Sequence, residues 1–444
     1  MARAKTPVAK QSVAKQPAAK QPVAKQPVAK QPVAKQSVAK QQAATTSAAR
    51  KPVTSKQAAT KPAATKLAAT KPAANKPAAT RPAAKKPAAK KPAELVLRKP
   101  SPGGPGSDRQ AQFLADIIAN IDDKKPRLVY ADLLQDLGDP RGEFIALACA
   151  RADIPEEDAR IPELDGQIEA LLKKHKKTWA AACGENKGAR YEYRRGFVEK
   201  ISLDAKDLLA NADKIFAAEP IEELNVWKID ESPTKRGGSR LAPILELPLH
   251  RIRRLSLARC KLSKDDFEAL AAATTLGSVE LLDLTNGGSY EIPVAPLAKA
   301  TSLPKLRELN LRGCMIGDEG ALALARSKTL KMRKLILARN DLHPAAGEAI
   351  ATAEWALDLV HLDVSSNEMF GDGGLAALAA STKLTSLKTL NLEFTGLYEQ
   401  AAELLRTARL FQQLDKIDIS ATGVRADEVR AVLGDRLVQS KIGF

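Results

Sequence analysis

The sequence predicts an α/β repeat solenoid, with a parallel sheet on its concave face and helices outside. A small, mainly helical α+β domain and a disordered basic tail precede it. Three observations carry this expectation. A leucine-bearing strand pattern recurs about every 27 residues through the C-terminal half, and helix-like stretches rich in Ala, Leu and Gly alternate with it. The first hundred residues hold no aromatic side chain and 19 Lys and 4 Arg against a single acid, Glu94. The expected boundaries are 1–107 for tail and linker, 108–219 for the helical domain and 220–444 for about eight repeats.

The tail comes first. Its net charge is +22, so a chain of +18 leaves −4 for the other 344 residues. Lysine falls at every fifth position from Lys5 to Lys40, in units such as KQPVA, and the theme becomes KPAAT or KKPAA after Lys56. Proline at that density costs about 3 kcal/mol per helix-interior position, and too few large apolar residues are present to offset the ordering entropy. Extended disorder follows, with an end-to-end span on the order of 50–60 Å by flexible-chain scaling. Lysines without aromatics neutralise phosphates but stack no bases, so the expected ligand is nucleic acid bound without sequence preference and with steep salt dependence. Lys10, Lys20, Lys30, Lys40, Lys61, Lys71, Lys85, Lys86, Lys90 and Lys91 are the candidate contacts. The Lys/Ala/Pro composition resembles the C-terminal tails of linker histones.

Cys149, Cys183, Cys260 and Cys314 stand far apart with no CxxC pair, which suits a reducing cytoplasm and argues against zinc or disulfides. No run of about 18 apolar residues predicts a membrane span, and the N-terminus lacks the apolar region of a secretory signal. The expected location is the cytoplasm, with nucleoid association through the tail.

In the middle segment, Ser107 or Asp108 can cap a helix through Asn120. Pro126 opens a second helix that Gly138 ends, GEFIALACA starts a third, and Ile168 to Trp179 reads as a fourth. Phe197 to Leu203 alternates as a strand, and a helix follows from Leu208 to Ala218. The residues PRLVYADLLQDLGDPRGEFIALA, HKKTWAA and RRGFVEKISLDAKDLLANADKIFAAEPIEEL resemble the "repeat-companion" domain that precedes leucine-rich repeats in myxobacterial and planctomycete proteins. Leu133 stands where that family usually has tryptophan. The resemblance brings no activity with it. Arg127, Asp132, Asp136, Asp139, Arg141 and Glu143 gather around two turns. Arg127, Asp132 and Glu143 could make a small acid/base site, but Arg–carboxylate pairs and caps that fix helix corners explain the set better.

In the repeats the key apolar residue falls at Leu255, Leu282, Leu309, Leu335, Leu362, Leu390 and Ile417, with Leu224 as an earlier copy interrupted by Pro233 to Gly238. Cys260, Cys314, Asn340, Asn367, Thr395 and Thr422 close the turns, where a small or polar side chain can bond bending backbone. Ser263 and Asp266 have capping-box spacing. Segments such as LRELNLRGCMI with a helix per repeat are similar to the ribonuclease-inhibitor-like class of leucine-rich repeats. That likeness implies a curved solenoid whose concave strands present the contact surface.

Residues between the buried leucines should face out of the core. Arg254, Ser256, Asp283, Glu308, Asn310, Arg312, Lys334, His361, Asp363, Asn391 and Glu393 are therefore the candidate protein-binding residues, led by Arg254, Arg312 and His361. A mixed polar face suits a protein partner better than a polyanion or a small-molecule substrate. No phosphate-binding loop, dinucleotide fingerprint or nucleophile elbow occurs, so no cofactor and no catalytic residue is expected. The expected function is a non-enzymatic scaffold. Its alternative is a regulator of the Ran GTPase-activating type, whose repeats have similar length.

Overall fold

The structure, a computed structural model, describes residues 105–229, 238–287 and 294–439. The tail lysines named above, and most of the interruption at Pro233 to Gly238, lie outside the described residues. All described elements belong to one compact unit, residues 90–444.

Four helices come first: α1 (Pro105–Ala119), α2 (Lys124–Asp136), α3 (Pro140–Ala152) and α4 (Ile161–Ala180). Ser107 and Asp108 therefore lie inside α1 and do not cap it, and α4 begins at Ile161, well before the expected Ile168. Asp123 caps α2 by accepting from Lys125 N–H, and Asp139 caps α3 in the same way from Arg141 N–H. Pro126 falls in the first turn of α2, where the amide it lacks has no intrahelical partner.

An eleven-stranded sheet follows in strict chain order. Strand β1 (Arg190–Arg194) pairs antiparallel with β2 (Phe197–Asp204), and every later pairing is parallel. After helix α5 (Ala205–Ala218) come β3 (Glu223–Trp227) and β4 (Arg254–Ser256), separated by the single turn α6 (Ala242–Leu245). The repeats continue through α7 (Lys264–Ala272), β5 (Leu281–Asp283), α8 (Ala295–Ala298), β6 (Glu308–Asn310), α9 (Gly317–Ala325) and β7 (Lys334–Ile336). They close with α10 (Pro344–Thr352), β8 (His361–Asp363), α11 (Gly371–Ala379), β9 (Thr389–Asn391), α12 (Glu399–Thr407), α13 (Arg409–Gln412), β10 (Lys416–Asp418), α14 (Ala426–Leu433) and β11 (Leu437–Val438). Strands β1 and β11 were not foreshadowed by the leucine period.

The register is that of the sequence repeat. Leu224, Leu255, Leu282, Leu309, Leu335, Leu362, Leu390 and Ile417 stand side by side across adjacent strands, and Ile201 extends the row into β2. All are buried, in one apolar core that runs from Cys183 to Leu437. Adjacent strands need about 4.8 Å and packed helices about 10 Å, so equal stacking on both sides is impossible and the sheet takes the inside of the curve.

Two devices hold neighbouring turns together. The Asn340 amide donates to Leu311 O at 2.8 Å and Ala338 O at 3.3 Å, while its carbonyl accepts from Cys314 N at 2.9 Å and Ile316 N at 3.4 Å. Asn367 repeats the pattern one turn on, donating to Leu337 O and accepting from Asn340 N and Leu342 N. Cys260 and Cys314 do part of this work by donating S–H to Val226 O and Leu284 O of the preceding turn. Thr395 and Thr422 reach only the carbonyls of their own turns, Leu392 O and Ile419 O. The second device is close helix packing: a Cβ on Gly347 of α10 would sit 2.7 Å from Gly374 O of α11. Ser263 and Asp266 form the expected capping box at α7.

Candidate functional site

The strand face offers two positions per repeat beside the buried leucine. The position before it holds Glu223, Arg254, Leu281, Glu308, Lys334, His361, Thr389 and Lys416 in lateral register. Charges in this column pair sideways: Arg254 meets Glu223 at 3.1 Å, and Lys334 meets Glu308 at 3.7 Å. Glu223 is buried, whereas Arg254, Lys334 and Glu308 keep exposed side-chain area, and such pairs contribute little to stability. Burial holds the His361 imidazole below its ordinary value, and Lys334 beside it adds to the effect.

The position after the leucine behaves differently. Asp283, Asn310, Asp363, Asn391 and Asp418 each use a side-chain oxygen to accept from the backbone N–H two residues on, at 2.9–3.0 Å. Ser256 Oγ accepts from Ala258 N–H at 3.4 Å and also donates to Asp283 at 2.9 Å. These side chains finish their own strands, an Asx turn repeated down the sheet. Asp363 is buried, as are Ser365 and Ser420 one strand position further on. Asp283, Asn310, Asp363 and Asn391 thus carry a structural duty that alternation alone did not reveal. Arg254, Glu308, Lys334 and His361, with Arg312 and the exposed Glu393, are the less committed members of the face.

Beyond the strand ends lies a rim that the alternation argument left out. Four residues after each key leucine, the backbone turns left-handed in eight successive repeats, at Lys228, Arg259, Asn286, Gly313, Arg339, Ser366, Phe394 and Ala421, with φ between 51° and 65°. Glycine or asparagine suits that conformation, and an aromatic residue there is uncommon. Phe394 is nonetheless 49% exposed, Met369 on the preceding loop 62% and Tyr398 on the same loop 63%. The signal was present in the sequence: phenylalanine stands where the neighbouring repeats place Ser366 and Ala421.

The arginines of the N-terminal helices find distant carboxylates. Arg127 is fully buried, pairs with Glu199 at 2.9 Å and lies over the Phe197 ring. Arg141 grips both oxygens of buried Glu219 at 2.7 and 2.8 Å, and Val198 N–H also donates to that carboxylate. Burial pushes the Glu219 carboxyl up and Arg141 draws it back. Asp132 and Glu143 are exposed on their helices, so they do not share a pocket wall with the Arg127 guanidinium. The four cysteines are free and buried, and burial pushes the Cys183 thiol up to about 12 and that of Cys314 up to about 11. Such thiols are poor nucleophiles at neutral pH. Among the described residues, no group of three or more His, Cys, Asp or Glu could hold a metal ion, and no helix is long and apolar enough to cross a membrane.

A family model described as "Leucine Rich repeat" matches residues 302–325 and 358–379, the strand-to-helix units of β6–α9 and β8–α11. No curated protein matches the sequence. Among solved structures, similarity extends to a chain of the Rad7 and Elc1 complex in yeast, with 14% identity over 53% of this chain and 64% of that one, at a TM-score of 0.34. The match therefore spans less than two thirds of that chain. An internalin from Listeria monocytogenes is similar at 13% identity over 55% of this chain and 87% of its own, with a TM-score of 0.26. A chain of the TLR13–ssRNA13 complex is similar at 16% identity over 48% and 31%, with a TM-score of 0.30.

Proposed function

We propose that this leucine-rich-repeat protein is a non-enzymatic interaction scaffold, which binds a protein partner on its strand face while its basic N-terminal segment tethers it to nucleic acid. The observation that carries the first half is the meeting of two surfaces in the C-terminal repeats. His361 on β8 and Glu393 just past β9 offer polar contacts, and Met369, Phe394 and Tyr398 add exposed apolar area along the adjoining rim. Aromatic anchors beside satisfied polar groups are the composition of an interface centre. The second half rests on the charge of residues 1–100, where +22 is concentrated without aromatics. The expected partners are one unidentified protein and a nucleic acid read without sequence preference.

Two measurements test the reading. Protein captured from lysate by the full chain should resist elution by salt and be lost from a Phe394→Ser, His361→Glu double variant. Capture that is unchanged by both substitutions would overturn the assignment of the face. Duplex DNA at low salt should bind the full chain at least a hundredfold more tightly than a chain beginning at Pro105, and equal affinities would remove the tethering role.

A further inference from the structure

The strands have a second edge, opposite the rim, where each helix ends and the next strand begins. On β6 and β7 this edge is densely basic. Arg307, Lys331 and Arg333 line one hollow of about 330 Å³ with Val360, Ser386 and a single carboxylate, Asp358. Lys305, Arg326 and Lys328 are further exposed cations of the same two repeats, near these residues in sequence. Elsewhere the arginines of this chain are heavily paired: Arg127, Arg141, Arg195 and Arg253 each hold a carboxylate within 3.0 Å. Among the described residues, none of the six cations at this edge makes an ion pair; Arg307 donates only to the carbonyls of Leu306 and Lys331, at 3.2 and 3.3 Å.

Helix C-termini favour cations, which explains one basic residue per repeat but not six unpaired ones on two neighbours. Keeping three cations together with a single carboxylate among them costs free energy that a bound anion would recover. The lining sums to three positive groups and one negative group. That balance of +2 matches the charge of about −1.5 to −2 carried by a phosphate group at neutral pH. Arg307 and Arg333 supply planar forks suited to phosphate oxygens, Lys331 supplies a point charge, and the Ser386 hydroxyl can donate a further bond.

We infer that Arg307, Lys331 and Arg333 form a phosphate-binding subsite on the helix-to-strand edge, independent of the strand face and of the N-terminal lysines. The ligand is either a free phosphate dianion or consecutive, singly charged phosphodiester groups of a nucleic-acid backbone, and the phosphate-oxygen chemistry is common to both.

The test compares the full chain with its Lys331→Gln, Arg333→Gln variant. Both residues are exposed, so the fold is not at stake. The N-terminal lysines are common to the two proteins, and any difference reports the hollow. Binding of inorganic phosphate and of a twelve-nucleotide oligodeoxythymidine is measured by calorimetry at constant ionic strength. A tenfold or larger loss of phosphate affinity in the variant supports the subsite as a receptor for a free dianion. The same loss confined to the oligonucleotide supports it as a backbone contact. Equal affinities of the two proteins in both arms, or the absence of measurable binding by either, would overturn the inference.

Discussion

Replacing Asn340 with leucine keeps the branching of the side chain but removes its polar atoms, at a position where four hydrogen bonds converge. The amide donates to Leu311 O and Ala338 O and accepts from Cys314 N and Ile316 N. Ala338 O keeps a second donor, Gly313 N at 2.8 Å, and is not stranded by the change. Three groups are: the N–H groups of Cys314 and Ile316 and the carbonyl of Leu311. Each buried group left without a partner costs about 1–3 kcal/mol, so three of them should destabilise the fold by about 3–9 kcal/mol. Asn391→Ala serves as the comparison, because that side chain accepts only from Glu393 N at 3.0 Å on a half-buried strand end and should cost about 1 kcal/mol. Urea unfolding of both variants, followed by circular dichroism, gives the two values directly. A loss below 1 kcal/mol for Asn340→Leu, or a loss equal to that of Asn391→Ala, would refute the idea that the buried amides clamp successive turns.

Two further outcomes follow from the same structure. Glu219→Gln should cost about 3–5 kcal/mol, because it leaves Arg141 buried without its counter-charge; the paired change Arg141→Met with Glu219→Leu should recover part of that loss, and a double variant no more stable than the single one would contradict this account. His361 has a folded-state value below the unfolded 6.5, so the unfolded chain binds more protons as pH falls through that value and stability declines from about pH 6.5 downward; His361→Gln should flatten this part of the stability–pH curve, and parallel curves for the two proteins would exclude the histidine as its source.

The repeat register was legible before any coordinates, because a leucine that must be buried once per turn can recur only at the turn period. Leu255 to Ile417 stand in adjacent strands as their spacing requires. Helix starts were less legible: Pro105 opens α1 ahead of two good capping residues, and capping propensity of about 1 kcal/mol yields readily to packing. The partners of Arg127 and Arg141 were unreadable in principle, since Glu199 and Glu219 lie 72 and 78 positions away and nothing in local spacing links them. On the strand face, alternation said which side chains leave the core but not which of them turn back to the backbone. Asp283 and Glu308 look equivalent to that rule, yet only Asp283 closes its own strand. Phe394 escaped because it lies past the strand, where a period-two argument no longer applies.

The glycine contact between α10 and α11 has an effect on the opposite side of the molecule. Bend angle between repeats is set by the difference between helix spacing on the back and strand spacing on the front, and the strand spacing is fixed by hydrogen bonds. Gly347 against Gly374 lets two helix backbones approach without a side chain between them. A methyl group at Gly347 would widen the back of these two repeats, and the front could answer only by closing more tightly. The opening of the strand face around His361 is therefore tuned from behind, by two glycines on the opposite side of the repeat.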